Sequence, residues 1–269
     1  MNLSLPTRPL ALVTGASSGM GAVFARRLAA EGHDVALVAR RRDRLQALAD
    51  ELTARYGVQA LVIPADLSTP AATPTIMAAL GARPVAVLIN AAGYSLVSDY
   101  AATPWADEEA CVMTLVMAVC ALTHAVLPSM LERRQGRIIS ISSLLALSQG
   151  GPGHTLYPAS KSFVLKFMLS LDAEVRAQGV RITCVLPGST ASEFQTANGT
   201  AEAMKSMPAS LISTPEAVVE ASLKANAAGR VVVIPGWHNQ LAAVFFRFAP
   251  DALVRWISAS TARRFAKGH

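Results

Sequence analysis

Short apolar runs alternate with longer amphipathic stretches along the whole chain. Most of the runs are hydrophobic without an alternating polar position, which is typical of parallel strands covered on both faces. We predict seven strands, at Leu10–Thr14, Asp34–Ala39, Val58–Ile63, Val85–Asn90, Arg137–Ser142, Arg181–Leu186 and Val231–Ile234. The stretches between them predict helices at Gly21–Ala30, Asp43–Tyr56, Thr75–Leu80, about Trp105–Leu127, Ser160–Ala177 and Pro215–Ala227. This order predicts the α/β class, with one doubly wound seven-stranded parallel sheet.

The composition suits one such domain. The chain has 269 residues, of which 52% are hydrophobic and 16% charged, so a large core is expected. No run reaches the ~20 uninterrupted apolar residues of a membrane span, and the first residues do not resemble a cleavable leader. The three cysteines, Cys111, Cys120 and Cys184, are odd in number and far apart, which indicates free thiols without a disulfide framework or metal site. We therefore expect a cytoplasmic protein.

The formal net charge of +6 is concentrated at one end of the chain. Five basic residues and one acidic residue lie in the last thirty positions, so the rest of the chain is nearly neutral. No basic face interleaved with aromatic residues is seen there, and we do not expect nucleic-acid binding.

A glycine-rich turn, TGASSGMG at positions 14–21, lies between the first strand and the first helix. Gly15 permits a sharp turn, Gly19 lets the backbone approach a pyrophosphate, and Gly21 lets the helix pack on the sheet. The helix N-terminus offers free N–H groups and a positive dipole end to phosphates. This context predicts a Rossmann-type dinucleotide-binding and catalytic domain over residues 1–236.

The same turn also matches G-x-S-x-G, in which Ser17 would be the nucleophile of a serine hydrolase. That motif would then lie on the first strand, with little sheet before it to supply an oxyanion loop. His238 is the best-placed histidine for a triad, but none of the five histidines is an obvious member. We keep hydrolysis as a less favoured alternative.

The end of the second strand indicates which dinucleotide is bound. An acidic residue is usual there in NAD-binding domains, but Ala39 occupies the place and Arg40 follows. An arginine pairs well with a 2′-phosphate, so NADP(H) is predicted over NAD(H). Arg41 and Arg42 are interpreted as the solvated start of the next helix.

Tyr157 and Lys161 are four residues apart, on one face of a helix that begins near Leu156. A cation beside the phenol would favour the phenolate, which makes Tyr157 a candidate acid/base. Upstream, Ser142 and Ser143 end a predicted strand, where open α/β sheets bind their ligands. Either hydroxyl could donate to a substrate oxygen, and the spacing to Tyr157 favours Ser143.

Together these motifs resemble the short-chain dehydrogenase/reductase family, over the chain up to about Gly236. The matching segments are TGASSGMG (14–21), DLS (66–68), NAAG (90–93), ISS (141–143), YPASK (157–161) and PG (187–188). The resemblance implies a hydride transfer between NADP(H) and a carbonyl or alcohol, with Ser143, Tyr157 and Lys161 as catalytic residues. The cofactor contacts predicted from the turn and the resemblance are Thr14, Gly15, Ser17, Ser18, Gly19, Met20, Gly21, Arg40, Asp66, Leu67, Asn90, Ala91, Gly93, Tyr157, Lys161, Pro187, Gly188, Thr190 and Ser192.

One position departs from the family pattern. The family usually has an asparagine in the long helix before the serine strand, and that asparagine helps to hold a water that relays protons toward the lysine. Leu115 stands there in this chain, and the neighbouring Thr114 is turned by ~100° around a regular helix. We expect redox activity with a modified relay. A redox-silent NADP(H)-binding regulatory protein is the alternative.

The substrate side is predicted from residues near the nicotinamide positions, and it indicates an uncharged, fairly apolar small molecule. The candidate substrate contacts are Ser143, Tyr94, Leu145, His154, Tyr157 and Phe194. The segment Ser189–Ser210 is either a mobile cover for a ligand or an ordinary surface loop.

The last residues, 237–269, predict a basic and aromatic helical extension. It could bury a dimer interface, form a lid over the cleft, or touch a membrane surface. We favour dimer or lid packing, because apolar helices more often bury against protein, and we expect a homodimer or homotetramer.

Overall fold

The structure is a computed structural model, and it describes residues 8–151, 153, 155–191 and 208–249. Three predicted site residues, His154, Ser192 and Phe194, lie outside the described residues, as do most of the Ser189–Ser210 segment and residues 250–269.

The described residues form one seven-stranded sheet in which every pair of neighbouring strands is parallel. The order across the sheet is β3-β2-β1-β4-β5-β6-β7. The strands are β1 Leu10–Thr14, β2 Asp34–Ala39, β3 Ala60–Pro64, β4 Val85–Asn90, β5 Gly136–Ile141, β6 Val180–Val185 and β7 Val232–Val233. The predicted fold class is confirmed.

The described part of the chain contains eight α-helices. They are α1 Gly19–Ala30, α2 Arg42–Tyr56, α3 Ala72–Leu80, α4 Trp105–Val112, α5 Ala118–Glu132, α6 Leu156–Val175, α7 Pro215–Ala227 and α8 Trp237–Phe248. One face of the sheet buries side chains of α1, α2 and α7, such as Phe24, Leu45 and Val219. The other face buries side chains of α3, α5 and α6, so both faces are covered, as the unbroken apolar runs predict.

The strand order reverses between β1 and β4. From β1 the chain first builds outward through β2 and β3, and then returns to place β4 on the other side of β1. At such a switch point the loops leave in opposite directions and open a crevice at the carboxyl ends of the strands. Thr14 and Asn90, the last residues of β1 and β4, therefore mark the edge of the sheet at which open α/β folds bind their ligands.

Two helix boundaries affect the site. α6 begins at Leu156, before the periodic stretch from Ser160 and where the Tyr157–Lys161 spacing predicts its start, so Tyr157 lies in its first turn. The helix predicted from Trp105 reaches Glu132, and a π-helical turn over Met113–Met117 separates α4 from α5. A π-turn widens a helix by one residue and often occurs at functional sites.

The whole helical segment Trp105–Glu132 is long and apolar enough to cross a membrane by length and composition, and it is the one such helix among the described residues. Its Leu122, Val126 and Met130 are nevertheless buried in the core formed with the sheet. We interpret it as a core helix of the domain.

Candidate active site

The glycine turn is shaped by close backbone contacts. Gly15 has φ +68°, a conformation that favours glycine, and a Cβ there would lie 2.8 Å from the Ala92 nitrogen. A Cβ on Gly21 would collide with the Gly15 carbonyl oxygen. Two of the three glycines are thus required by packing of the turn itself.

Thr14 joins the ends of β1 and β4. Its hydroxyl donates to the Ile89 carbonyl at 3.2 Å and accepts from the N–H groups of Ala91 and Ala92 at 3.1 and 3.2 Å. Asn90 is also buried, and its amide donates to the Ser140 hydroxyl at 3.1 Å. These two predicted cofactor residues hold the edge of the sheet in place; cofactor contact by either stays a prediction.

The start of α1 has N–H groups that its own cap does not satisfy. Ser18 is the N-cap, but its side chain makes no capping hydrogen bond to the first turn. The N–H groups at the N-terminus and the helix dipole therefore favour an anion at Ser18–Met20. This suits the pyrophosphate of a dinucleotide.

An arginine that the sequence analysis does not assign to the site reaches this turn. Arg41 Nη2 donates to the Ser17 hydroxyl at 2.9 Å and to the Ser18 hydroxyl at 3.0 Å. The sequence interpretation makes Arg41 a solvated helix start and assigns the 2′-phosphate to Arg40. The structure instead gathers the Arg41 guanidinium and two hydroxyls at one exposed point, whereas Arg40 acts electrostatically on Asp66.

Asp66 follows β3 and closes its own turn. It accepts from the Ser68 N–H at 3.0 Å and from the Ser68 hydroxyl at 2.8 Å. These bonds, with a smaller contribution from Arg40, lower the pKa of the Asp66 carboxyl. The carboxylate is thus charged and oriented at the edge of the crevice, beside Leu67, which is buried.

The two candidate serines have different partners. The Ser142 hydroxyl is buried and donates to the Lys161 carbonyl oxygen at 2.7 Å, so it links β5 to α6. The Ser143 hydroxyl accepts from the Leu145 N–H at 3.1 Å and is hydrogen-bonded to the Tyr157 side chain. The structure therefore supports the choice of Ser143 over Ser142 as the residue beside the phenol.

Tyr157 and Lys161 share one face of α6. The Lys161 ammonium donates to the Ile141 carbonyl at 2.9 Å and lies 5.5 Å from the centroid of the Tyr157 ring. Burial lowers the pKa of Lys161 to about 8. Burial also raises the pKa of the Tyr157 phenol, and the hydrogen bond with Ser143 works in the opposite direction.

The predicted effect of Lys161 on the phenol stays a prediction. The spacing predicts that Lys161 favours the phenolate, whereas burial acts in the opposite direction and raises the pKa of the phenol, which is protonated at neutral pH. The physical reason is desolvation, which disfavours the anion more than the Ser143 hydrogen bond favours it. In this state Tyr157 is a proton donor.

An apolar wall stands beside the phenol. Cys111, Leu115 and Val116 form a buried cluster against which Tyr94 and Tyr157 pack. Burial raises the pKa of the Cys111 thiol to about 11, so it is neutral at physiological pH. The predicted substrate contact Tyr94 therefore packs against uncharged side chains.

Leu115 lies in the π-turn and is 1% exposed. A Cβ added at Gly93 would meet the Leu115 Cδ2 atom at 2.9 Å and the Lys161 ammonium at 3.6 Å. The side chains of Leu115 and Lys161 thus both approach Gly93, and this chain has an apolar side chain at the position where the family has an amide.

The far wall of the site comes from the end of the described chain. Thr190 donates its hydroxyl to the Gly188 carbonyl at 3.1 Å, next to the buried Pro187. The Asn239 side chain of α8 packs directly on Gly188 and donates to the Pro235 carbonyl at 2.7 Å. α8 also packs on the short helix Leu144–Leu147, which carries the predicted substrate contact Leu145.

Sequence reasoning missed three of these residues: Arg41, Cys111 and Asn239. Cys111 could have been found, because it precedes Leu115 by four positions on one helix face. Arg41 and Asn239 reach the site through contacts with residues far away in the sequence. No local sequence pattern indicates that these two residues belong to the site.

Comparison with known proteins agrees with the geometry. A family model described as short chain dehydrogenase matches residues 9–203. An uncharacterized oxidoreductase from Myxococcus xanthus is 38% identical over 190 residues, which are 70% of this chain and 74% of the relative. The NADP-dependent 3-hydroxy acid dehydrogenase YdfG from Salmonella typhi is 39% identical over 66% of this chain and 71% of its own.

The match to a very-long-chain 3-oxoacyl-CoA reductase from Anas platyrhynchos, 37% identical, spans 68% of this chain and 60% of that longer protein. Among solved structures, a short-chain dehydrogenase from Sphingobium yanoikuyae in complex with NADPH is 31% identical and has a TM-score of 0.80. That likeness covers 97% of this chain and 95% of the other. The chain belongs to the short-chain dehydrogenase/reductase family of oxidoreductases.

Proposed function

We propose that this protein is an NADP(H)-dependent carbonyl reductase or alcohol dehydrogenase that acts on an uncharged, fairly apolar small molecule. The hydrogen bond between Ser143 and a protonated Tyr157, with Lys161 one helical turn away, carries the proposal. This group lies at the end of β5, on the same edge of the sheet as the glycine turn.

NADP(H) is the proposed cofactor because of the residues around the first turn. No carboxylate occupies position 39, and the Arg41 guanidinium with the Ser17 and Ser18 hydroxyls suits a 2′-phosphate. The Sphingobium relative was solved in complex with NADPH, and the Salmonella relative is named as an NADP-dependent dehydrogenase. When bound, the cofactor supplies or takes a hydride at its nicotinamide ring.

Tyr157 transfers the proton in this proposal. Its raised pKa keeps the phenol protonated at neutral pH, so it can donate to a carbonyl oxygen that becomes an alkoxide. Ser143 donates a second hydrogen bond to the same oxygen and stabilises the developing charge. In alcohol oxidation the two residues act in reverse.

Lys161 provides the positive charge of the site. With a pKa of about 8, its ammonium is charged at neutral pH and stabilises negative charge on the Tyr157 oxygen after proton transfer. Leu115 replaces the polar group that the family uses beside this lysine. We propose that the proton route is modified here, with Lys161 held by the Ile141 carbonyl.

The apolar wall supports an uncharged substrate. Cys111 is neutral at physiological pH, Leu115 and Val116 carry no charge, and burying a charged substrate group beside them would be costly. The Salmonella and Anas relatives are named for different substrates, a 3-hydroxy acid and a 3-oxoacyl-CoA, so the substrate class is argued from these residues.

The test is a scan of aldehydes, ketones and alcohols followed by NADPH absorbance. We expect turnover of apolar carbonyl compounds by the parent, and a loss of at least about a hundredfold for Tyr157→Phe. NADPH binding by that variant, measured by fluorescence titration, should remain unchanged. Turnover by Tyr157→Phe at the parental rate would refute the assignment of Tyr157.

Two other functions are separated by the same scan together with an ester-cleavage assay. A redox-silent protein would bind NADPH and turn over none of the compounds. A hydrolase would cleave esters and lose that activity in Ser17→Ala. We do not favour hydrolysis, because Ser17 is bonded by Arg41, which cannot act as a base, and the His238 ring nitrogens have no hydrogen-bond partner in the described structure.

The cytoplasmic location and the homodimer or homotetramer stay predictions. Fractionation of the producing cell tests the first, and light scattering after size-exclusion chromatography tests the second.

A further inference from the structure

The outward face of α8 is apolar. Its large exposed side chains recur at intervals of four, three and four residues, which places them in one line along the helix. They are Trp237, Leu241, Val244 and Phe248, with exposed fractions of 69%, 62%, 56% and 74%. We call these four residues the α8 stripe.

The opposite face of α8 holds the helix on the protein. Asn239 and Ala243 are buried there, and Asn239 packs on Gly188. The helix can therefore keep its place while the stripe remains in contact with solvent. Within the described part of the chain, nothing covers the stripe.

The charges around the stripe are positive. No acidic residue occurs between Pro235 and Pro250, and the Arg247 guanidinium lies 5.6 Å from the centroid of the Phe248 ring. The following positions, 250–269, contain three arginines and one lysine against a single aspartate. An apolar helix face with adjoining positive charge is complementary to a bilayer with anionic headgroups.

We propose that the α8 stripe docks on the surface of a lipid bilayer that carries anionic headgroups. The four side chains enter the boundary between headgroups and acyl chains, with Trp237 at the interfacial depth that indole prefers. Arg247 lies close to the headgroup charges. This inference goes beyond the proposed function and does not depend on it.

A second copy of the chain fits the stripe less well. In a two-fold contact the same patch faces itself, and α8 carries no acidic residue that could pair with Arg247 of the second copy. An anionic surface supplies the charge that such a contact lacks.

The experiment is co-sedimentation of the full chain with vesicles of phosphatidylcholine alone or mixed with phosphatidylglycerol. We expect binding to the mixed vesicles, several-fold weaker at high salt because the charges are screened. The double variant Trp237→Ser/Phe248→Ser should lower the partition coefficient by at least about tenfold. Trp105→Ser is the matched control: Trp105 is 63% exposed at the start of α4 and should leave vesicle binding unchanged.

Absence of binding to mixed vesicles would overturn the proposal, and so would equal binding by the parent and the double variant. Equal binding to neutral and mixed vesicles would overturn the role of charge. A lower molar mass of the double variant in light scattering would show that the stripe buries a second copy instead. None of these measurements uses enzymatic activity, so they fail or succeed independently of the proposed reaction.

Discussion

Functional groups are positioned differently at the glycine turn and in the catalytic pocket. At the turn, the backbone is positioned by Gly15 and Gly21, and the charged side chains around it, Arg41 and Asp66, are in contact with solvent. In the pocket, Ser143 and Lys161 are themselves buried, with 8% and 5% of their surfaces exposed. The glycine turn thus positions its groups through backbone geometry, whereas the properties of the catalytic side chains depend on their burial away from water.

The difference is visible in the electrostatics. The pKa of Asp66 is lowered chiefly by hydrogen bonds from Ser68, which keep the carboxylate charged. The pKa values of Lys161 and Tyr157 are governed first by burial, which disfavours their charged forms. Charge at the turn is suited to holding a charged ligand, while the pocket is suited to moving a proton.

After Tyr157→Phe, the largest loss of kcat/KM should come from Ser143→Ala. Removing a hydrogen-bond donor to a developing oxyanion lowers kcat/KM by about a hundredfold or more, with NADPH affinity unchanged. Ser142→Ala is the matched control, because Ser142 donates to the Lys161 carbonyl and not to the phenol. If steady-state kinetics gave the larger loss for Ser142→Ala, the roles of the two serines would have to be exchanged.

Gly21→Ala tests whether the glycine turn depends on the close approach of its own backbone. The added Cβ would collide with the Gly15 carbonyl, so we expect about 1–3 kcal/mol less free energy of unfolding and weaker NADPH binding. Gly57→Ala is the control: Gly57 has φ +64° with open space around a Cβ, so it should cost about 1 kcal/mol and leave NADPH binding intact. Urea unfolding and fluorescence titration measure both quantities, and an equal loss of NADPH affinity in the two variants would contradict the role of the turn.

Arg41→Gln tests the exposed charges. It should weaken NADPH binding by about tenfold and leave NADH binding unchanged, because only NADPH carries the 2′-phosphate. Arg42→Gln, one position further at the start of α2, should change neither affinity. Comparing the loss of NADPH affinity in Arg40→Gln with that in Arg41→Gln shows which arginine contributes more to binding of the 2′-phosphate. An equal loss of NADPH and NADH affinity in Arg41→Gln would show that Arg41 supports the turn and does not select the cofactor.

The smallest expected effect is a pH dependence. The pKa of Lys161 is lowered to about 8 from its ordinary value of 10.5, so the ammonium is present below that pH and lost above it. We expect kcat/KM for carbonyl reduction to fall as the pH rises through about 8. Leu115→Asn places a polar group beside the ammonium and should move this decline to higher pH, whereas Leu115→Met should leave it in place.

The same variant decides whether the missing asparagine matters. If Leu115→Asn had the rate and pH profile of the parent, the relay would be unimportant in this protein.

Much of the fold was determined by local sequence. Apolar runs such as Leu10–Thr14 and Asp34–Ala39 bury most of their side chains when they form parallel strands covered on both faces. These two strands have the predicted boundaries. The shortest strand, β7, is two residues shorter than predicted, because only Val232 and Val233 pair with β6. The identities of Gly15, Tyr157 and Lys161 as candidates also followed from spacing, since a helical turn places positions 157 and 161 on one face.

Other features were decided only by tertiary structure. Which serine faces Tyr157 depends on how β5 meets α6, and the direction in which the pKa of that tyrosine shifts depends on how much water the surrounding elements exclude. Arg41 reaches Ser17 across 24 positions, and Asn239 reaches Gly188 from the far end of the described chain. Local sequence determines which faces of a segment are apolar. Burial and long-range contact, which set pKa values and bring distant side chains together, exist only after the segments have packed.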